Sequence, residues 1–192
     1  MEELLFRRAR RNSWLLRSNR NREICLYCSK LVLVLKAGNL MVDHIDLNEL
    51  KEETERVFRS GFMCSETSVY VLNKFFDLGM PESAMAMATG FPYGFGDGGN
   101  VCGGVAGATM CLGMVFGRTV PGDPKYKKCL DLVRELNDDV IEAYETTICP
   151  DLIRDYDFKD PERKDHCVGI MMAVVTSFAK IMEREKGVKI IR

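Results

Sequence analysis

Residues 101–118, VCGGVAGATMCLGMVFGR, decide the fold. Val101 to Phe116 is a sixteen-residue run without a charge, punctuated by Gly103, Gly104, Gly107 and Gly113. A membrane-spanning helix needs about 18 or more apolar residues in a row, and no stretch of the chain reaches that length, so the run reads as a buried central helix and no span is expected. Gly103/Gly107 and Gly113/Gly117 have G-x-x-x-G spacing, the small-residue pattern of helices in close contact. Two membrane helices in contact would use it, as would a buried helix that a neighbouring backbone approaches. The length favours the second, and the same small residues would permit the seam of a homodimer.

Helical patterns flank this run on both sides. Leu47, Leu50, Val57 and Phe58 share one face, with Glu49, Glu52, Glu53 and Arg56 left for the other. Val69, Leu72, Phe75 and Phe76 make a second helix ending near Gly79 and Pro81, and Glu82 to Ala88 can form a short third. Residues 89–100, TGFPYGFGDGGN, hold five glycines and a proline and read as a loop. After the Pro121-Gly122 turn, Asp123-Pro124 supplies an N-cap and a proline at the first helical position, followed by Leu130, Val133, Leu136, Val140, Ile141 and Tyr144. Cys149-Pro150-Asp151 opens a short turn. Asp160-Pro161-Glu162 starts the last helix, whose apolar face is Val168, Met171, Met172, Val175, Phe178 and Met182. No segment alternates as a strand. The expected fold is an all-α bundle of about six helices around the glycine-rich central one.

The chain has 192 residues and a formal net charge of −1, with no basic surplus to neutralise nucleic-acid phosphates, so no nucleic-acid partner is expected. The balance is uneven: residues 1–40 carry nine Lys or Arg against three Glu. Their apolar stretches, Trp14-Leu15-Leu16 and Leu31 to Leu35, are too short for the core of a secretory signal, which needs about 7–15 residues. Acidic, helix-forming sequence follows Met41 at once and makes it a candidate natural first residue. Residues 1–40 are then a basic extension outside the native protein, residues 41–192 a helical four-cysteine domain, and the expected location is cytoplasmic.

Eight cysteines are many for such a chain. A helix start presents unpaired N–H groups and the positive end of the macrodipole, which favour a thiolate and lower its pKa. Cys64, Cys102 and Cys149 fall at such starts, and Cys167 lies in the first turns of the last helix. Cys111 and Cys129 read as inert core residues. Cys25-Leu26-Tyr27-Cys28 is a C-x-x-C with no second pair to complete a zinc site. The helix-start cysteines are 38, 47 and 18 residues apart, a spacing that matches no local metal finger or ferredoxin run, so a shared site would have to be assembled from different helices.

FMCSE at Phe62 to Glu66, the loop GFGDGG before Val101-Cys102-Gly103-Gly104-Val105-Ala106-Gly107, then Cys149-Pro150-Asp151-Leu152 and Cys167 together resemble the redox-active protein family named C_GCAxxG_C_C. The resemblance covers about Phe58 to Glu183 and extends to the C-terminal part of split-Soret cytochromes, which carry this cysteine set beside a haem domain. It implies that Cys64, Cys102, Cys149 and Cys167 act together as an iron-sulfur or other redox site. The family's C-G-A-x-x-G motif begins at Cys102, and its alanine is Gly104 here, which loosens the helix start without removing a ligand. Gly98 and Gly99 of the loop, with Gly103 at the helix start, are then expected to bring backbone N–H groups to the sulfurs.

The rival groups carry less. His166 points about 100° around a helix from Cys167, so the two share one ion awkwardly. His44 has no partner in sequence. Asp138, Asp139, Glu49, Glu52, Glu53 and Glu55 lie on polar helix faces, where carboxylates are solvated, and Met110, Met114, Met171 and Met182 suit core packing. The leading expectation is an electron-transfer protein with an iron-sulfur cluster and an unidentified redox partner protein. The alternatives are a metal-free thiol-disulfide oxidoreductase and a zinc-stabilised interaction module.

Overall fold

In the computed structural model, which describes residues 42–192, the first element is a three-residue strand, β1 (His44–Asp46), that runs directly into helix α1 (Leu47–Arg59). Asp46 caps that helix, its carboxylate accepting from the N–H of Asn48 at 2.8 Å and of Glu49 at 3.1 Å. Then come α2 (Cys64–Phe76), α3 (Glu82–Ala88), α4 (Pro92–Phe95), α5 (Gly103–Phe116), α6 (Lys125–Tyr144), α7 (Cys149–Leu152), α8 (Pro161–Lys186) and β2 (Lys189–Ile191). The basic extension, the Cys25/Cys28 pair and Met41 lie outside the described residues.

Helix α5 is packed by α2, α6 and α8, while α1 lies across α2 and α8. Its small residues set the α2 contact. A Cβ on Gly107 would press on Ser65 O and on Ser68 Cβ, the latter at 2.9 Å, so only glycine lets the two backbones come this close. The Gly103/Gly107 pair is thus filled by a helix of the same chain. Gly113 faces open space, and Gly117 caps the helix. Among the described residues, α8 is long and apolar enough to cross a membrane by length and composition, which corrects the expectation that no stretch would be. Over half of its most apolar window (56%) is buried inside the fold, where Val174, Val175, Phe178 and Met182 join the core. Asp160 caps α8 by accepting from Glu162 N at 3.0 Å, Pro161 takes the first helical position, and Gly187 ends it at φ 74.

The described residues are mostly helical but not entirely so. β1 and β2 pair in parallel, Ile45 opposite Ile190, with both side chains buried. Three-residue strands are too short to alternate visibly, which is why the sequence shows no strand. Among the described residues the helices number eight, six of seven or more residues and two of a single turn. The single turn α4 lies in the stretch read as a loop, and its Tyr93 (φ 54) and Gly94 (φ 74) leave the helical region. Helix α5 starts at Gly103, because Val101 instead forms an antiparallel bridge with Ile148. Helix α6 buries Leu132, Leu136 and Val140, leaving Leu130 57% and Ile141 43% exposed, a face rotated from the expected one. Met114 is also exposed, and Cys129 is only half-buried.

Candidate functional site

Four separate pieces of chain bring cysteines to one cavity. Cys64 is the first residue of α2, Cys102 the N-cap of α5, Cys149 the first residue of α7, and Cys167 lies in the second turn of α8. All four line a cavity of about 180 Å³. One water needs only about 10–15 Å³, so the space suits a group of several atoms. Among the described residues no three His, Cys, Asp or Glu side chains converge closely enough to hold one metal ion. The sulfurs stand around a volume, not on a point.

Each position has a local cause. The start of α2 is clamped by Glu66, whose carboxylate accepts from Met63 N at 2.8 Å and from Thr89 Oγ1 at 2.7 Å. Ser65 Oγ donates to Ala88 O at 2.7 Å, so the residues on either side of α3's C-terminus fix Cys64. The left-handed turn at Tyr93 and Gly94 then folds the chain back on itself, with Asn100 N donating to Gly94 O at 3.1 Å. A Cβ on Gly94 would collide with the Asn100 backbone. Beyond it, Cys149 N donates to Asn100 O and Cys102 N to Thr147 O, both at 2.8 Å, flanking the Val101–Ile148 bridge. Cys102 and Cys149 are diagonal neighbours across that bridge, a relation that puts residues about 7–8 Å apart.

The electrostatics correct one expectation. Helix starts were expected to lower these thiol pKa values, but all four stand above the usual thiol value. Burial is the largest cause in each case, pushing Cys102 up to about 12 and Cys149 up to about 11. Loss of hydration penalises the thiolate more than a helix start rewards it. The charge of Cys64 raises Cys102, Cys149 and Cys167 further. Backbone N–H groups of Tyr93, Ser65, Cys64 and Gly103 favour the anion at Cys64, and those of Val105 and Gly104 do so at Cys102.

Of the glycines, Gly103 is buried against Cys64, whereas Gly98 and Gly99 are exposed and do not line the cavity. The loop donor at Cys64 is Tyr93. Two cations that the sequence reading did not single out, Arg163 and Lys164, line the cavity. Arg163 stands one helical turn before Cys167, and that i, i+4 spacing was the available signal. His166 is turned away: its Nε2 lies 2.9 Å from Leu152 O and its ring stacks on Tyr156. His44 is in β1. Glu53 receives Arg56 and Lys74, Glu55 receives Arg59, and Asp139 lies 4.0 Å from Lys180, so these carboxylates serve surface ion pairs. Cys111 is buried with its sulfur 3.8 Å from Met80 Sδ, away from the cavity.

Four cysteines of a helical chain thus line one cavity. Residues 62–181 match the model of the family described as "Putative redox-active protein (C_GCAxxG_C_C)", and the chain belongs to that family. Comparison with curated proteins and with solved structures finds no match.

Proposed function

We propose that this chain is a one-electron redox protein that holds an iron-sulfur cluster through Cys64, Cys102, Cys149 and Cys167. The observation that carries the reading is the meeting of four cysteine side chains, from four separate elements, on one cavity of about 180 Å³. A cavity of that size with no point of convergence favours a multi-atom group over a single zinc ion. The donors are all sulfur, the set that such clusters take, and an iron-sulfur cluster supplies reversible uptake of one electron when bound.

The chain's own residues do the rest. The four cysteines lose their protons as they ligate. N–H groups of Tyr93, Gly103, Gly104 and Val105 offset the resulting negative charge. Ile170 and Met171, both buried, give the cavity apolar lining. A metal-free dithiol mechanism is less favoured, because an attacking thiol works best with a pKa near ambient pH and burial raises all four here.

Anaerobic purification followed by reconstitution tests the proposal. The expected product is coloured, contains iron and acid-labile sulfide, and loses both when any one of the four cysteines becomes serine. Colourless protein with neither overturns it. Stoichiometric zinc would then point to a structural metal, and a reversible disulfide among the four to thiol exchange. The exchange partner under this reading is another one-electron redox protein.

A further inference from the structure

Arg163 and Lys164 line the four-cysteine cavity, and neither is paired with a carboxylate among the described residues. No described carboxylate lines the cavity either. Arg163 is held in place: its Nε donates to Phe158 O at 2.9 Å and its guanidinium stacks 4.6 Å from the Phe158 ring centroid. Phe158 in turn packs on Tyr93 at 5.2 Å, so one strut runs from α4 to α8 beside the sulfurs. Lys164 lies 5.5 Å from the ring centroid of Phe58. Two cations without counter-ions beside an otherwise apolar, sulfur-lined space are an arrangement for negative charge. We infer that the cavity is built to hold a net negative group and that Arg163 is the positioning cation that sets its charge balance. Asp97 opposes this at Cys149, and Arg163 favours the anion at both Cys149 and Cys167.

The inference rests on the reading that the four cysteines form one site, and it adds a consequence for that site's potential. A cluster held by the four cysteines would take up one electron from a reduced one-electron carrier, which would be oxidised by one, and the site would gain one negative charge. A fixed cation beside it makes that step easier.

Two measurements test the role of Arg163 on the full chain. In metal-free protein, the rates at which iodoacetate (anionic) and iodoacetamide (neutral) alkylate Cys149 and Cys167 are compared by peptide mass spectrometry; their ratio cancels intrinsic thiol reactivity. Arg163→Gln is expected to lower the ratio severalfold and Arg163→Lys to keep it. In reconstituted protein, Arg163→Gln is expected to make reduction about tenfold less favourable, a midpoint lower by about 59 mV for one electron, with Arg163→Lys close to the parent. An unchanged alkylation ratio in Arg163→Gln overturns the inference, as does a loaded variant with the parental midpoint. If the parent takes up no iron or sulfide, the cluster reading fails while the alkylation ratio still decides the role of Arg163.

Discussion

Gly103 stands directly against Cys64: a Cβ on Gly103 would overlap Cys64 Sγ and press on Phe91 O and Pro92 Cα, each at 3.2 Å. The contact joins the start of α5 to the start of α2 and to the left-handed turn between them, so three of the elements around the cavity depend on one missing methyl group. Gly103→Ala is therefore expected to displace Cys64 or the α4 backbone, at a cost of about 1–3 kcal/mol for overpacking. Thermal unfolding reads the cost. Iron and sulfide content after reconstitution reads the displacement, and both are expected to fall.

Gly104 behaves oppositely. A Cβ there would meet Met171 Cγ at 3.4 Å, Cys102 Sγ at 3.7 Å and Ser68 Oγ at 3.8 Å, all ordinary contacts. The alanine of the family motif fits this site, and restoring it removes backbone entropy from the unfolded chain. Gly104→Ala is expected to raise stability by about 0.5–1 kcal/mol and to leave cofactor loading unchanged. A destabilised variant would mean that α5 lies closer to α8 than the structure has it.

Stability should fall at both ends of the pH range for separate reasons. Hydrogen bonds from Arg56 and Lys74 hold the Glu53 carboxyl at about 2, below its ordinary 4.5. That stabilisation is complete above pH 4.5 and is lost as the pH falls towards 2. The pair lies at the surface, so the effect is expected to be at most about 1 kcal/mol, read as a shallower acid limb of the melting temperature in Glu53→Gln. Burial pushes the Cys111 thiol up to about 12 from 9.0. Its contribution is full below pH 9 and declines between 9 and 12, where the unfolded thiol ionises and the folded one does not. Cys111→Ala is expected to be less stable at neutral pH and to lose stability less steeply above pH 9.

The parts legible in the sequence were those set by local chemistry. The Asp160-Pro161 start of α8 follows from capping rules, and the buried Gly107 follows from small-residue spacing. What needed the fold was whatever depends on distant neighbours. Leu130 and Ile141 are apolar and in period, yet among the described residues no element covers them, so the buried face of α6 is narrower than its apolar content. The four cysteines could be picked out by their helix starts and by resemblance, but the direction of their pKa values could not. Sequence displays the helix start and hides the burial that outweighs it. Arg163 was visible one turn before Cys167, but only the cavity and the Phe158 stack single it out from other arginines.

The chain's end offers a test of how the fold around the site is closed. β2 follows α8 directly and pairs with β1, placing Ile190 opposite Ile45, while Val188 is buried between the helix and the strand. Lys189 N donates to Asp43 O at 3.0 Å, tying the segment before α1 to the segment after α8. Helices α1 and α8 also pack on each other, so this two-strand clasp acts on an interface that exists without it. A chain ending at Lys186 loses two buried aliphatic side chains, each contributing about 1.5–3 kcal/mol, and the ladder. It is expected to melt well below the full chain. The cavity is formed by other segments, the starts of α2, α5 and α7 and the second turn of α8, so the folded fraction should still take up iron and sulfide. Loss of uptake at a temperature where circular dichroism reports a folded helical chain would show that the clasp reaches the cysteines through α8, and that the site and the closure of the fold are one cooperative unit.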